Sequence, residues 1–143
     1  MENLEIQEIE RKKKFMKRYT KNKALIERLE NKLALLEDRI TSAKSPNYSG
    51  MPRGGTRVTT AELISDKIEL EERIRRLKDK GETLRSEVLA EIDRLDDVRY
   101  AIVLEGFFIN GYSFEDIADN EGYTLRHVFR LYSEAIKFLT MSE

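Results

Sequence analysis

The stretch FMKRYTKNKALIERLENKLALLEDRI, residues 15–40, decides the fold. Apolar side chains recur in it every three or four residues, and one asparagine fills a position of the same series. The series is Phe15, Tyr19, Asn22, Ile26, Leu29, Leu33, Leu36 and Ile40. This spacing is typical of a heptad seam and predicts one long helix from near residue 3 to near residue 41. A polar amide on such a seam commonly selects register or oligomeric state, which we expect of Asn22.

A second seam follows an irregular stretch. Residues 42–59 contain both prolines and three glycines without periodicity, which predicts a loop. The loop is either a spacer or a contact for phosphate or an acidic partner through Arg53 and Arg57. Thr60 is the predicted N-cap of a second helix. The apolar positions of that helix are Leu63, Leu70, Ile74, Leu77, Leu84, Val88 and Leu95. Two helices of similar length predict an antiparallel hairpin over residues 1–95, which could also form a homo-oligomer through its coiled coil.

Composition narrows the class of protein. The chain has 143 residues, 37% of them charged, a net charge of −1 and no cysteine. Disulfides and thiolate metal sites are therefore excluded, and a reducing cytoplasm is expected. The N-terminal sequence lacks the apolar region of a signal peptide, and no stretch approaches the roughly 18 apolar residues of a membrane span. We expect a cytoplasmic, all-α protein with no membrane partner.

Residues 96–143 have a different character and are predicted to form a second domain. A first helix, about 96–109, is expected to bury Val98, Ile102, Val103 and Phe107 or Phe108. Ser113 can cap a short helix over residues 114–120, with Asp116 at the reciprocal position of a capping box. A turn at Gly122 follows, and Thr124 can cap a longer helix that reaches about residue 140.

This arrangement matches a helix-turn-helix unit position by position. Ala118 lies where the two helices approach closely, and Gly122 allows a left-handed turn. Ile117, Tyr123, Val128 and Leu131 are the expected core. In such units the second helix enters the major groove of DNA. Its outward residues, the predicted DNA contacts, are Thr124, Leu125, Arg126, His127, Phe129, Arg130, Ser133 and Lys137.

Two segments resemble a known family. Residues 100–139, YAIVLEGFFINGYSFEDIADNEGYTLRHVFRLYSEAIKFL, resemble the C-terminal region of phage and prophage regulators of the ArpU/RinA type, which are similar to region 4 of sigma-70 factors. Residues 49–55, SGMPRGG, resemble the linker before the second helix of such proteins. The resemblance implies a transcription regulator of phage late or packaging genes, with double-stranded DNA and RNA polymerase as partners, in the cytoplasm of a bacterial host.

The charge distribution opposes simple DNA binding by this domain. Residues 96–143 carry four positive and nine negative side chains, whereas affinity for DNA comes largely from basic side chains that neutralise phosphates. The run RKKKFMKRYTKNK, residues 11–23, has eight positive charges and no negative one, so pairing within it is impossible. It is either the solvated face of a coiled coil or a set of phosphate contacts. The contacts expected from it are Lys12, Lys13, Lys14 and Lys17.

Other functions compete with transcription regulation. A small terminase subunit for DNA packaging combines the same elements, and an interaction module that binds RNA polymerase could keep the helix-turn-helix shape. An enzyme is not expected, because no phosphate-binding loop, nucleophile motif or metal-ligand cluster occurs. No catalytic residue, metal ligand or cofactor is therefore predicted.

Overall fold

The computed structural model describes residues 2–44 and 59–141, and these residues form helices without any strand. The helices are α1 (Glu2–Lys44), α2 (Thr60–Asp93), α3 (Val98–Phe108), α4 (Phe114–Glu121) and α5 (Leu125–Phe138). The predicted all-α class with a long helical hairpin is confirmed. Arg53, Arg57 and most of the predicted loop 42–59 lie outside the described residues.

Contacts divide the chain into two compact units. The first unit comprises Met1–Lys23 and Lys80–Glu143, and the second comprises Ala24–Asp79. The division falls inside both long helices, whereas the sequence suggested a boundary between residues 95 and 96. The reason is that the N-terminal part of α1 and the C-terminal part of α2 share a core with helices α3 and α5.

The second unit is an antiparallel pair of helical segments with an apolar seam. Leu29 and Ile40 of α1 are buried, as are Leu63 and Ile74 of α2. Ion pairs at the edge of the seam join Lys78 to Glu30 at 3.0 Å and Lys67 to Glu37 at 3.8 Å. Burial of each leucine or isoleucine contributes about 1.5–3 kcal/mol, whereas exposed ion pairs contribute about 0–1 kcal/mol. The seam therefore dominates the stability of this unit.

Helix α2 begins with a capping box one residue earlier than predicted. The Glu62 amide donates to Thr59 Oγ1 at 3.1 Å, and the Thr59 amide donates to a Glu62 carboxylate oxygen at 3.3 Å. Thr59 is thus the N-cap, and the prediction of Thr60 was wrong. Both threonines can cap, but Glu62 reaches back to the residue three positions before it.

In the first unit, α1 and α2 meet closely at Gly81. A Cβ atom added there would lie 2.6 Å from Asn22 Oδ1, and Asn22 is buried. Gly81 therefore marks a close approach of the two helices, and α2 continues through it. Arg18 Nη2 and Glu87 Oε2 are 2.6 Å apart in the same helix pair.

The core of the first unit joins both hairpin helices to the C-terminal helices. Met16 is fully buried there although it lies beside the predicted seam of α1. It shares the core with Val88, Ile92, Leu104, Phe108, Ile109, Ala135, Ile136 and Leu139. Helix α1 thus buries a second face, which the heptad analysis missed.

Helices α3, α4 and α5 pack on one another around a small second core. Val103 and the predicted residues Ile117, Ala118, Val128 and Leu131 form this core, and Tyr123 packs against it. Val98 is 69% exposed, so its predicted burial was wrong. It is the first residue of α3, where the chain has just turned at the N-cap Asp97.

Candidate nucleic-acid interface

Local hydrogen bonds and one glycine turn determine where α4 begins and ends and where α5 begins. The Asp116 amide donates to Ser113 Oγ, and the Ser113 amide donates to an Asp116 carboxylate oxygen, both at 3.1 Å. Gly122 ends α4 in the left-handed conformation with φ of 70°. Thr124 Oγ1 accepts the His127 amide at 3.1 Å and caps α5. The capping box, the glycine turn and the second cap are all confirmed.

Helix α5 has a buried face and an outward face. Val128, Leu131, Ala135 and Ile136 are buried, which fixes the rotation of the helix about its axis. Seven of the eight residues predicted to contact DNA from this helix and its N-cap are exposed, and His127 is half-buried. The exposed ones are Thr124, Leu125, Arg126, Phe129, Arg130, Ser133 and Lys137.

Arg126, Arg130, Ser133 and Lys137 are spaced by four, three and four residues. This spacing puts them on one stripe of α5. The Arg130 guanidinium donates to His127 Nδ1 at 3.0 Å. The histidine ring also lies edge-on to Tyr123, with ring centroids 4.9 Å apart. His127 thus connects Arg130 to the turn between α4 and α5.

The basic run of α1 lies against the C-terminal half of α5. The Lys12 ammonium donates to the Lys137 carbonyl at 3.0 Å, and Lys12 is only 8% exposed. A lysine charge at a helix C-terminus is favourable for the helix dipole. Lys13 Nζ lies 6.0 Å from the ring centroid of Tyr132 in α5 and 3.7 Å from Glu10. Lys12 thus holds two helices together in this conformation.

Four other lysines of the run are exposed, and three of them lie on one face. Lys14, Lys17 and Lys21 are spaced by three and four residues along α1. Lys21 was not among the predicted phosphate contacts, although the same helical spacing connects it to Lys14 and Lys17. Acidic residues that precede the run pair with its first members, as Glu8 does with Arg11 at 2.6 Å. The Arg11 hydrogen bond lowers the pKa of the Glu8 carboxyl.

The exposed surface of α4 is acidic. Its eight residues include Glu115, Asp116, Asp119 and Glu121, all exposed, and no basic residue. In a helix-turn-helix unit the first helix crosses the DNA backbone, where negative side chains repel phosphate. Positive charge for any contact with DNA would therefore have to come from α5 and α1.

Two further properties concern only the described ranges 2–44 and 59–141. No helix there is long and apolar enough to cross a membrane. No group of three or more histidine, cysteine, aspartate or glutamate side chains there is arranged to hold a metal ion.

Comparison with models of protein families, with curated proteins and with solved structures finds no match to this chain.

Proposed function

We propose that this chain is a DNA-binding transcription regulator that acts in the cytoplasm of a bacterial host and reads the major groove with α5. The observation that carries the proposal is the outward stripe of α5, where Arg126 and Arg130 are both exposed and four residues apart. Arginine contacts the O6 and N7 atoms of guanine with two hydrogen bonds and is the commonest base-specific reader. The resemblance to ArpU/RinA-type regulators supports a role in phage gene transcription.

The packing of α1 supports the electrostatic part of the proposal. The C-terminal domain alone has an excess of negative charge, but the basic run shares its compact unit. Lys12 and Lys13 attach α1 beside α5, and Lys14, Lys17 and Lys21 remain exposed for phosphate. Phosphate contacts would supply affinity, and the two arginines would supply sequence preference.

The first test is a titration of the full chain against a duplex that covers the DNA upstream of its own gene. Fluorescence anisotropy at several salt concentrations gives the slope of log affinity against log salt. The variant Lys14→Gln/Lys17→Gln/Lys21→Gln should weaken binding to all duplexes and flatten this slope, by about 0.9 for each lost phosphate contact. Absence of binding to any duplex at low salt would overturn the proposal.

A matched control uses three exposed basic residues of α1 in the second unit. The variant Arg28→Gln/Lys32→Gln/Arg39→Gln removes the same charge from the same helix. It should leave the salt slope as it is in the parent. An equal flattening in both variants would mean that the slope reports net charge and not contacts of the basic run.

A second candidate function follows from the acidic surface of α4. An interaction module that binds a basic surface of RNA polymerase would use Glu115, Asp119 and Glu121 directly. Reversal of these charges to lysine should then abolish polymerase binding measured with purified enzyme. For a simple DNA reader the same reversal should strengthen binding to every duplex, because repulsion of the phosphates is removed.

A further inference from the structure

Two exposed apolar side chains accompany the arginines of α5. Leu125 is 37% exposed and Phe129 is 45% exposed, and they are four residues apart on the same side of the helix. Each directly precedes one of the arginines, so the apolar pair runs beside Arg126 and Arg130. A surface that joins apolar and guanidinium groups can contact more than phosphate.

Ring contacts position Phe129. Its ring lies edge-on to Phe114, with centroids 4.9 Å apart, and Phe114 is stacked on Phe107 at 4.6 Å with an angle of 6° between the planes. Tyr132 lies edge-on to Phe114 at 5.0 Å. Such contacts contribute about 0.5–1.5 kcal/mol each beyond the burial of area. Phe129 is thus an exposed side chain that is held in place by its ring contact. Such a side chain is suited to contact one particular group on a partner.

We infer that Leu125 and Phe129 read thymine through its 5-methyl group, next to guanine contacted by Arg126 or Arg130. The inference rests on the proposed function and adds a base preference to it. Thymine alone among the four bases presents a methyl group in the major groove, and apolar side chains contact that group. The preferred site should therefore contain thymine beside guanine.

Removal of the methyl group tests this directly. Duplexes bound by the parent are first selected from a library of random sequence, and the preferred site is then synthesised with uracil in place of thymine. Uracil keeps every hydrogen-bonding group of thymine. The parent should bind the uracil duplex about fourfold more weakly for each methyl group contacted, since a buried methyl-sized group contributes about a factor of four.

Variants assign the effect to the apolar pair. Phe129→Ala should lose the part of the thymine preference that Phe129 supplies, and Phe129→Leu should lose less of it. The double variant Leu125→Ala/Phe129→Ala should bind the thymine and uracil duplexes with nearly equal affinity. Phe138→Ala is the matched control, because Phe138 is a 62% exposed phenylalanine of the same helix, stacked on Tyr100. It should keep the full preference. Leu125→Ala provides the same comparison if Phe129→Ala fails to fold.

The outcomes separate this inference from the proposed function. Selection of no duplex at all would overturn both. Selection of a defined site that binds equally with thymine and uracil would overturn the thymine contact alone and leave DNA binding intact. Equal loss of the preference in Phe138→Ala would also overturn it, since the effect would not come from the pair beside the arginines.

Discussion

Replacement of Gly81 by alanine tests the pairing of α1 with α2 in the first unit. In the interior of an ordinary helix this change stabilises by about 1 kcal/mol. Here the added Cβ would lie 2.6 Å from Asn22 Oδ1, well short of the 3.4 Å at which ordinary contact begins. Asn22 is 7% exposed and has little space to move, and overpacking of this kind costs about 1–3 kcal/mol. Gly81→Ala should therefore change the unfolding free energy by about zero to 2 kcal/mol in the destabilising direction.

A double-mutant cycle isolates the contact. In an Asn22→Ala background the space opposite Gly81 is open, so Gly81→Ala should stabilise by about 1 kcal/mol, which gives a coupling of about 1–3 kcal/mol. Urea unfolding followed by circular dichroism measures the four free energies. Asn31→Ala, an exposed asparagine of α1, is the control and should show no coupling. Equal stabilisation by Gly81→Ala in all backgrounds would refute the close approach of the helices.

Three further predictions concern the turn, the buried lysine and a tyrosine. Gly122→Ala should lower the unfolding free energy by about 1–2 kcal/mol, because φ is 70°, and Gly122→Asn should lower it less; equal stability would contradict the turn. Lys12→Gln should reduce stability by about 1–3 kcal/mol, because the hydrogen bond to the Lys137 carbonyl is lost, and should leave the salt slope of DNA binding unchanged. Lys14→Gln should leave stability unchanged and flatten the salt slope. Burial raises the pKa of the Tyr132 phenol, so the folded state favours the protonated phenol. The contribution of Tyr132 to the unfolding free energy is therefore complete below the ordinary pKa of about 10 and falls as pH rises through the raised pKa. Urea midpoints measured at pH 9 and 11 should therefore differ less in Tyr132→Phe than in the parent.

The parts of the fold that depend on local chemistry could be predicted from the sequence. The cap at Ser113, the turn at Gly122 and the cap at Thr124 are each decided by side chains within about four residues. The heptad seam is also local in this sense, because its period repeats along one helix. These signals were sufficient for the outward face of α5, since the buried positions Val128 and Leu131 fix its rotation.

The parts of the fold that depend on contacts between residues distant in sequence could not be predicted. Met16 is buried by side chains from α2, α3 and α5, and no period within α1 distinguishes it. Lys12 belongs to a run of uniform charge and appeared suited to phosphate, yet its partner is a carbonyl 125 residues away. The ring contacts behind Phe129 escaped prediction for the same reason, because Phe107 and Phe114 lie on different helices.

Measurement of base preference in arginine variants tests the central claim, that α5 reads DNA, most directly. The selected site and a set of single-base changes are titrated with the parent, Arg126→Ala and Arg130→Ala. Both arginines are exposed, so the fold should persist, which circular dichroism can verify. Arg76→Ala, which removes a 69% exposed side chain of α2, is the control for lost charge.

An arginine with two bonds to guanine contributes about 1–3 kcal/mol of discrimination. Each α5 variant should therefore bind the selected site about tenfold or more weakly and lose its preference at one base pair. The control Arg76→Ala should keep the affinity and the base preference of the parent. If Arg126→Ala and Arg130→Ala, singly and together, bind the site as tightly and as selectively as the parent, α5 does not read DNA.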